Sequence, residues 1–133
     1  MSKKLVSVGF IMGMFFVYVG CGGDDDVVAT ASASCELPAM ATIYDMCHDF
    51  KDWPSSGLST PNSDCEGGTW GAVGTWSEGT ACATEGSLGT CTWTAGGNQI
   101  VTVYTAATGA TANTSKIHCE GANGWQGTWA DAS

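Results

Sequence analysis

Leu88–Thr94 (LGTCTWT), Ala95–Asn98 (AGGN) and Gln99–Thr105 (QIVTVYT) are the stretch that decides the fold. The two flanking runs are rich in β-branched and aromatic residues, and the glycine pair between them is a turn signal, so residues 88–105 read as a β-hairpin. Ile100, Val101, Val103 and Tyr104 alternate in part, which suits a strand with one buried face. Beyond the hairpin, the segment from Thr105 to Thr111 supplies a cap for a helix through Ile117 and Cys119, ended by Gly121. Trp125–Trp129 and Thr69–Trp76 read as short strands. A matching helix near residues 55–65 is interrupted by Pro54, Gly57 and Pro61.

Cysteine spacing extends this reading across the chain. Cys35, Cys47, Cys65, Cys82, Cys91 and Cys119 contain no C-x-x-C pair, which argues against a zinc ribbon or a thioredoxin-type redox motif. Exported thiols pair with one another, so three disulfides are expected. The order Cys35, Cys47, Cys65, Gly74-Thr75-Trp76 is repeated as Cys82, Cys91, Cys119, Gly127-Thr128-Trp129, and Cys65-Glu66-Gly67 matches Cys119-Glu120-Gly121. Such an order reads as an internal duplication. Among the fifteen connectivities that six cysteines allow, the symmetric one is Cys47–Cys65, Cys91–Cys119 and Cys35–Cys82. The expected fold class is α+β: a small disulfide-stapled domain with short antiparallel strands and one or two short helices.

The N-terminus reads as an address. Lys3 and Lys4 precede an apolar run from Leu5 to Gly20, which matches an export signal and is short for a membrane span of roughly 20 residues. The run stops at Cys21, before Gly22, Gly23 and the triplet Asp24–Asp26. Tyr18-Val19-Gly20-Cys21 resembles the lipobox of bacterial lipoproteins. That resemblance implies cleavage after Gly20, acylation of Cys21 and anchoring in membrane lipid. Gly22 differs from the aspartate that retains many such proteins in the inner membrane, so the resemblance implies the outer membrane. The alternative is an ordinary secretory signal cut near Ala31 or Ala33. Residues 22–34 (GGDDDVVATASAS) are acidic, then small and polar, and read as a flexible tether. The expected organisation is a signal peptide over 1–20, a lipidated cysteine and tether over 21–34, and a cysteine-rich domain over 35–133.

Composition excludes several functions. Four Lys and Arg against thirteen acidic residues give a net charge of −9, with no basic stripe for nucleic acid. His48 and His118 are the only imidazoles, and no G-x-S-x-G elbow is present. His48 beside Cys47 and His118 beside Cys119 could complete a metal site only if those thiols stayed unpaired. Asp45, Asp49 and Asp52 around Trp53 could form a glycosidase-like carboxylate pair, but read better as a solvated acidic loop. No catalytic residue, metal or cofactor is therefore assigned, and the chain is not read as an enzyme.

The six tryptophans are the best functional lead. Exposed indoles stack on sugars or anchor protein interfaces, and Trp70 and Trp125, flanked by glycines, are the candidates for exposure. The remaining rings are expected to fill the core. Cys47 with Phe50, Cys65, Gly67-Gly68-Thr69-Trp70, Leu88-Gly89-Thr90-Cys91, Tyr104, Cys119 and Gly127-Thr128-Trp129 resemble a pattern shared by short cysteine-rich proteins, many of them lipoproteins, from myxobacteria and related bacteria. The resemblance implies fold and location and says nothing of chemistry. The expected function is a membrane-anchored envelope lipoprotein with a structural or interaction role. The alternative is a surface module that binds glycan or protein through exposed Trp side chains.

Overall fold

A computed structural model describes residues 28–38, 44–106 and 110–133. The signal peptide and Cys21 lie outside the described residues. Strands β1 (Thr30–Leu37), β2 (Tyr44–Pro54), β3 (Thr75–Glu78), β4 (Ser87–Ala95), β5 (Asn98–Ala106) and β6 (Thr128–Asp131) form one sheet, with every neighbouring pair antiparallel, in the order β3-β1-β2-β5-β4-β6. Helices α1 (Ser59–Gly67) and α2 (Ala112–Glu120) complete the two halves, β1-β2-α1-β3 and β4-β5-α2-β6.

This corrects the expected fold class. The molecule is built on a continuous six-stranded antiparallel sheet, whose four inner strands have 8, 11, 9 and 9 residues; it is not an α+β domain of short strands. The tether also ends earlier than residue 34. Thr30–Ser34 belong to β1, where Ala33 and Ser34 are buried. Ala and Ser have little strand preference of their own, so β1 is held by pairing with β2 on one side and β3 on the other.

The hairpin reading is met closely. Gly96 and Gly97 link β4 to β5 with φ of 59° and 86°, the pair of left-handed residues that a type I′ turn requires. Helix α2 begins at an N-cap Thr111 in a capping box with Thr114 and ends at Gly121, as expected. Helix α1 begins after a short 3₁₀ turn at Ser55–Gly57 and is capped at its far end by the left-handed Gly68.

Register shows how the halves correspond. Directly opposed residues share a face of a sheet, and one row runs Trp76, Cys35, His48, Thr102, Cys91, Trp129 across all six strands. Cys35 and Cys91 therefore occupy matching positions, as do Trp76 and Trp129; the two bulges do not match, since the extra residue lies in β2, where Lys51 and Asp52 stand against Ser32, and in β4 at Leu88. Disulfides Cys35–Cys65 and Cys91–Cys119 bind α1 and α2 to the same face of the sheet. The third bridge, Cys47–Cys82, lies on the other face, because Cys47 opposes Val103 and alternates with His48. It pins the β3–β4 connection across that face.

Of the symmetric pairing, only Cys91–Cys119 is present. The expected Cys47–Cys65 and Cys35–Cys82 bridges are replaced because the true counterpart of Cys35 is Cys91, leaving Cys47 and Cys82 outside the repeated pattern. The glycine of each Gly-Thr-Trp has a steric reason. A Cβ on Gly74 would lie 2.7 Å from Cys35 Sγ and 2.8 Å from Cys65 Sγ, and one on Gly127 would lie 2.7 Å from Cys91 Sγ. In both halves that glycine's N–H donates to the helix cysteine's carbonyl, Gly74 to Cys65 and Gly127 to Cys119, each at 2.8 Å.

Candidate functional site

The core sits between the sheet and its two helices. Met46, His48 and Phe50 of β2 and Ile100, Thr102 and Tyr104 of β5 are buried at every second position, as the strand period dictates. His48 is at the centre, 0 % exposed, facing Thr102 across the seam between the halves. Their side chains are hydrogen-bonded at 2.7 Å between Nδ1 and Oγ1, and Trp93 Nε1 donates to the same Thr102 hydroxyl at 2.8 Å. An indole only donates, so Thr102 Oγ1 accepts from Trp93 and uses its remaining capacity for the bond to His48 Nδ1. Among the described residues the buried His48 Nε2 has no hydrogen-bond partner.

Aromatic rings enclose the imidazole. Trp70 and Trp125 flank it with centroids at 4.8 and 5.1 Å and planes within a few degrees of perpendicular (88° and 86°), and Trp93 lies at 5.7 Å. Trp93 stacks on Trp125 at 4.5 Å and Phe50 on Trp70 at 6.0 Å. Edge-to-face and offset stacked arrangements are the favourable ones for these quadrupoles. Burial among them, with His118 as a smaller like-charge influence, lowers the His48 pKa from 6.5 to about 3. His48 is thus neutral across the physiological range.

A second, smaller group lies beside it. The Tyr104 hydroxyl is hydrogen-bonded to His118 Nδ1 at 2.8 Å, and Trp129 and Trp125 pack edge-on to Tyr104 and His118 respectively. Partial burial lowers the His118 pKa as well. At the opposite end Trp53 packs edge-on to Phe50 and donates to the Gln99 carbonyl at 2.7 Å.

The residues singled out from sequence are distributed differently from expectation. Trp70 and Trp125 are half-buried walls of the His48 enclosure, not exposed platforms. Trp53 is buried, and none of the six tryptophans is exposed. Cys35, Cys47, Cys65, Cys82, Cys91 and Cys119 are all oxidised, so neither histidine has a neighbouring thiolate for metal. Among the described residues no group of three or more His, Cys, Asp and Glu is placed to hold a metal ion.

The acidic trio does not converge on an aromatic floor. Asp49 alternates with His48 and so faces the strapped side of the sheet, where desolvation raises its pKa against the opposing pull of a Cys82 backbone hydrogen bond and of Lys51. Asp52 has left-handed backbone and donates its N–H to Ser32 Oγ. Trp53 belongs to the Phe50 side of the sheet.

Sequence reading missed the His48–Thr102 pair, although the signal was present. Met46, His48 and Phe50 alternate with Asp45, Cys47, Asp49 and Lys51, the period-2 pattern of a half-buried strand. Comparison with protein-family models, curated proteins and solved structures gives no match to this chain.

Proposed function

We propose that this chain is a lipid-anchored protein of the bacterial cell envelope, carried on Cys21 in the outer membrane, with a structural or interaction role. The observation that supports it is the completed pairing of the other cysteines. Seven are present in the sequence, and six are consumed in three bridges within the domain. That leaves Cys21, next to the apolar run of residues 5–20, as the odd thiol, and acylation gives it a role. The disulfides themselves favour an oxidising, extracytoplasmic compartment.

The domain suits such a place. With two Lys against thirteen acidic residues after residue 20, it is repelled by anionic headgroups, so attachment rests on the acyl chains. The Trp-platform alternative draws less support, because Trp70 and Trp125 are partly buried and pack against His48. Intact-mass spectrometry of protein from its native membrane tests the reading. A chain beginning at Cys21 and carrying acyl groups is expected, with processing lost in Cys21→Ser. A chain beginning after Ala31 or Ala33, or normal maturation of that variant, would overturn it. Such a cut would also remove Thr30 and Ala31 from β1, which pairs from Thr30 onward.

A further inference from the structure

We propose that the short span from Cys21 holds the domain with one end toward the anchoring lipid surface and its acidic end away from it. This rests on the anchored reading and adds an orientation to it. The chain joins the domain at Ala29, whose carbonyl accepts from both the N–H and the Oγ of Ser55, at 2.9 and 3.0 Å. That junction lies where β1 begins and β2 ends, since Thr30 opposes Pro54. The Ser55–Gly57 turn is there, and so is the Gly96–Gly97 turn, tied to the end of β2 by the hydrogen bond from Trp53 Nε1 to the Gln99 carbonyl. Val28, just before the junction, brings an exposed apolar side chain to the same end.

Length decides the orientation. Eight residue steps separate Cys21 from Ala29, so full extension reaches about 28 Å. Strand β2, from Tyr44 to Pro54, runs the length of the sheet, and its 11 residues at the strand rise span about 33 Å. Were the Tyr44 end set on the lipid with β2 upright, Ala29 would stand farther off than the chain can reach. Every shorter path from Cys21 draws the Ala29 end closer still. Charge acts in the same direction. Glu36, Asp45 and Asp131 lie on strands toward the Tyr44 end, with Glu85 just before β4, and among the described residues no lysine lies with them. The Ala29 end has Lys51 beside Asp52 and Glu78. Anionic headgroups therefore repel the far end more strongly, within a Debye length of about 8 Å.

The test places the acylated mature chain, its Cys21 modification confirmed by mass, in nanodiscs of phosphatidylethanolamine and phosphatidylglycerol carrying a nitroxide-headgroup lipid. Amide line widths are compared with those in unlabelled discs. The amides of Ser56, Gly57, Gly96 and Gly97 are expected to broaden, and those of Leu37, Ser87, Thr105 and Asp131 to keep their widths. A Gly-Ser stretch of the tether's own length, inserted after Gly23, should bring broadening to the second set, because the reach then exceeds the sheet. Equal broadening of both sets in the natural chain, the reverse order, or a contrast that the insertion leaves unchanged would overturn the orientation and leave the anchor standing. An unacylated Cys21 would overturn the anchor, and the orientation with it.

Discussion

His48 shows how one buried residue sets a pH limit on the whole fold. Its folded pKa, about 3, lies below the ordinary 6.5, so between those values the unfolded chain takes up a proton that the folded chain refuses. Stability contributed by the neutral imidazole is therefore complete above pH 6.5 and is lost as pH falls, by up to ~1.4 kcal/mol per unit. His118, lowered for the same reason, acts in the same direction. Asp49 opposes them. Its folded pKa is raised above 3.8, so in the window just above that value the folded state holds the extra proton. Urea unfolding between about pH 7 and pH 4.5 should show stability falling with acidity, and His48→Leu should flatten that slope even though it strands the Thr102 hydroxyl. Equal slopes in the two proteins would refute the assignment.

At the scale of the element, the two helices make a comparison within one chain. Each places a buried residue four before the next on the sheet, Pro61 and Cys65 in α1 and Ser115 and Cys119 in α2, so packing treats them alike. Their starts differ, since only α2 has a side-chain cap. Thr111→Ala should cost about 1 kcal/mol and speed hydrogen exchange at Thr114 and Ser115, while leaving α1 unchanged. Unchanged exchange at both amides would show that packing alone holds the first turn. The same contrast explains what could be read in advance. The hairpin at 88–105 and α2 carry local signals, a glycine pair and a threonine ahead of the helix with Gly121 after it, and were legible. Strand β1 (TASASCEL) is dominated by Ala and Ser, which have little strand preference, and exists through its neighbours, so no local pattern announced it. Trp70 and Trp125 were misjudged because flanking glycines look like surface, whereas here they allow the chain to bring two indoles against His48.

For the molecule as a whole, the three disulfides are not equivalent, although their loops are. Sequence separations of 30, 35 and 28 residues correspond to similar chain-entropy terms, each about 3.5–4 kcal/mol. Position therefore decides which opens first. Cys35, Cys65, Cys91 and Cys119 are wholly buried between sheet and helices, and a reductant reaches them only if the core opens. Cys82 is 8 % exposed and Cys47 half-buried, on the face that the β3–β4 connection crosses, away from the two helices. Limited reduction followed by alkylation should label Cys47 and Cys82 first. The remaining four should react later and together, since both bridges depend on the same core. Release of Cys47–Cys82 should raise hydrogen exchange in residues 79–86 and return Asp49 toward an ordinary carboxylate pKa, with the six-stranded sheet intact. Early labelling of Cys91 or Cys119 would mean instead that the second half opens as a unit by itself, and that the seam at His48 and Thr102 is a boundary between two folding units rather than the centre of one.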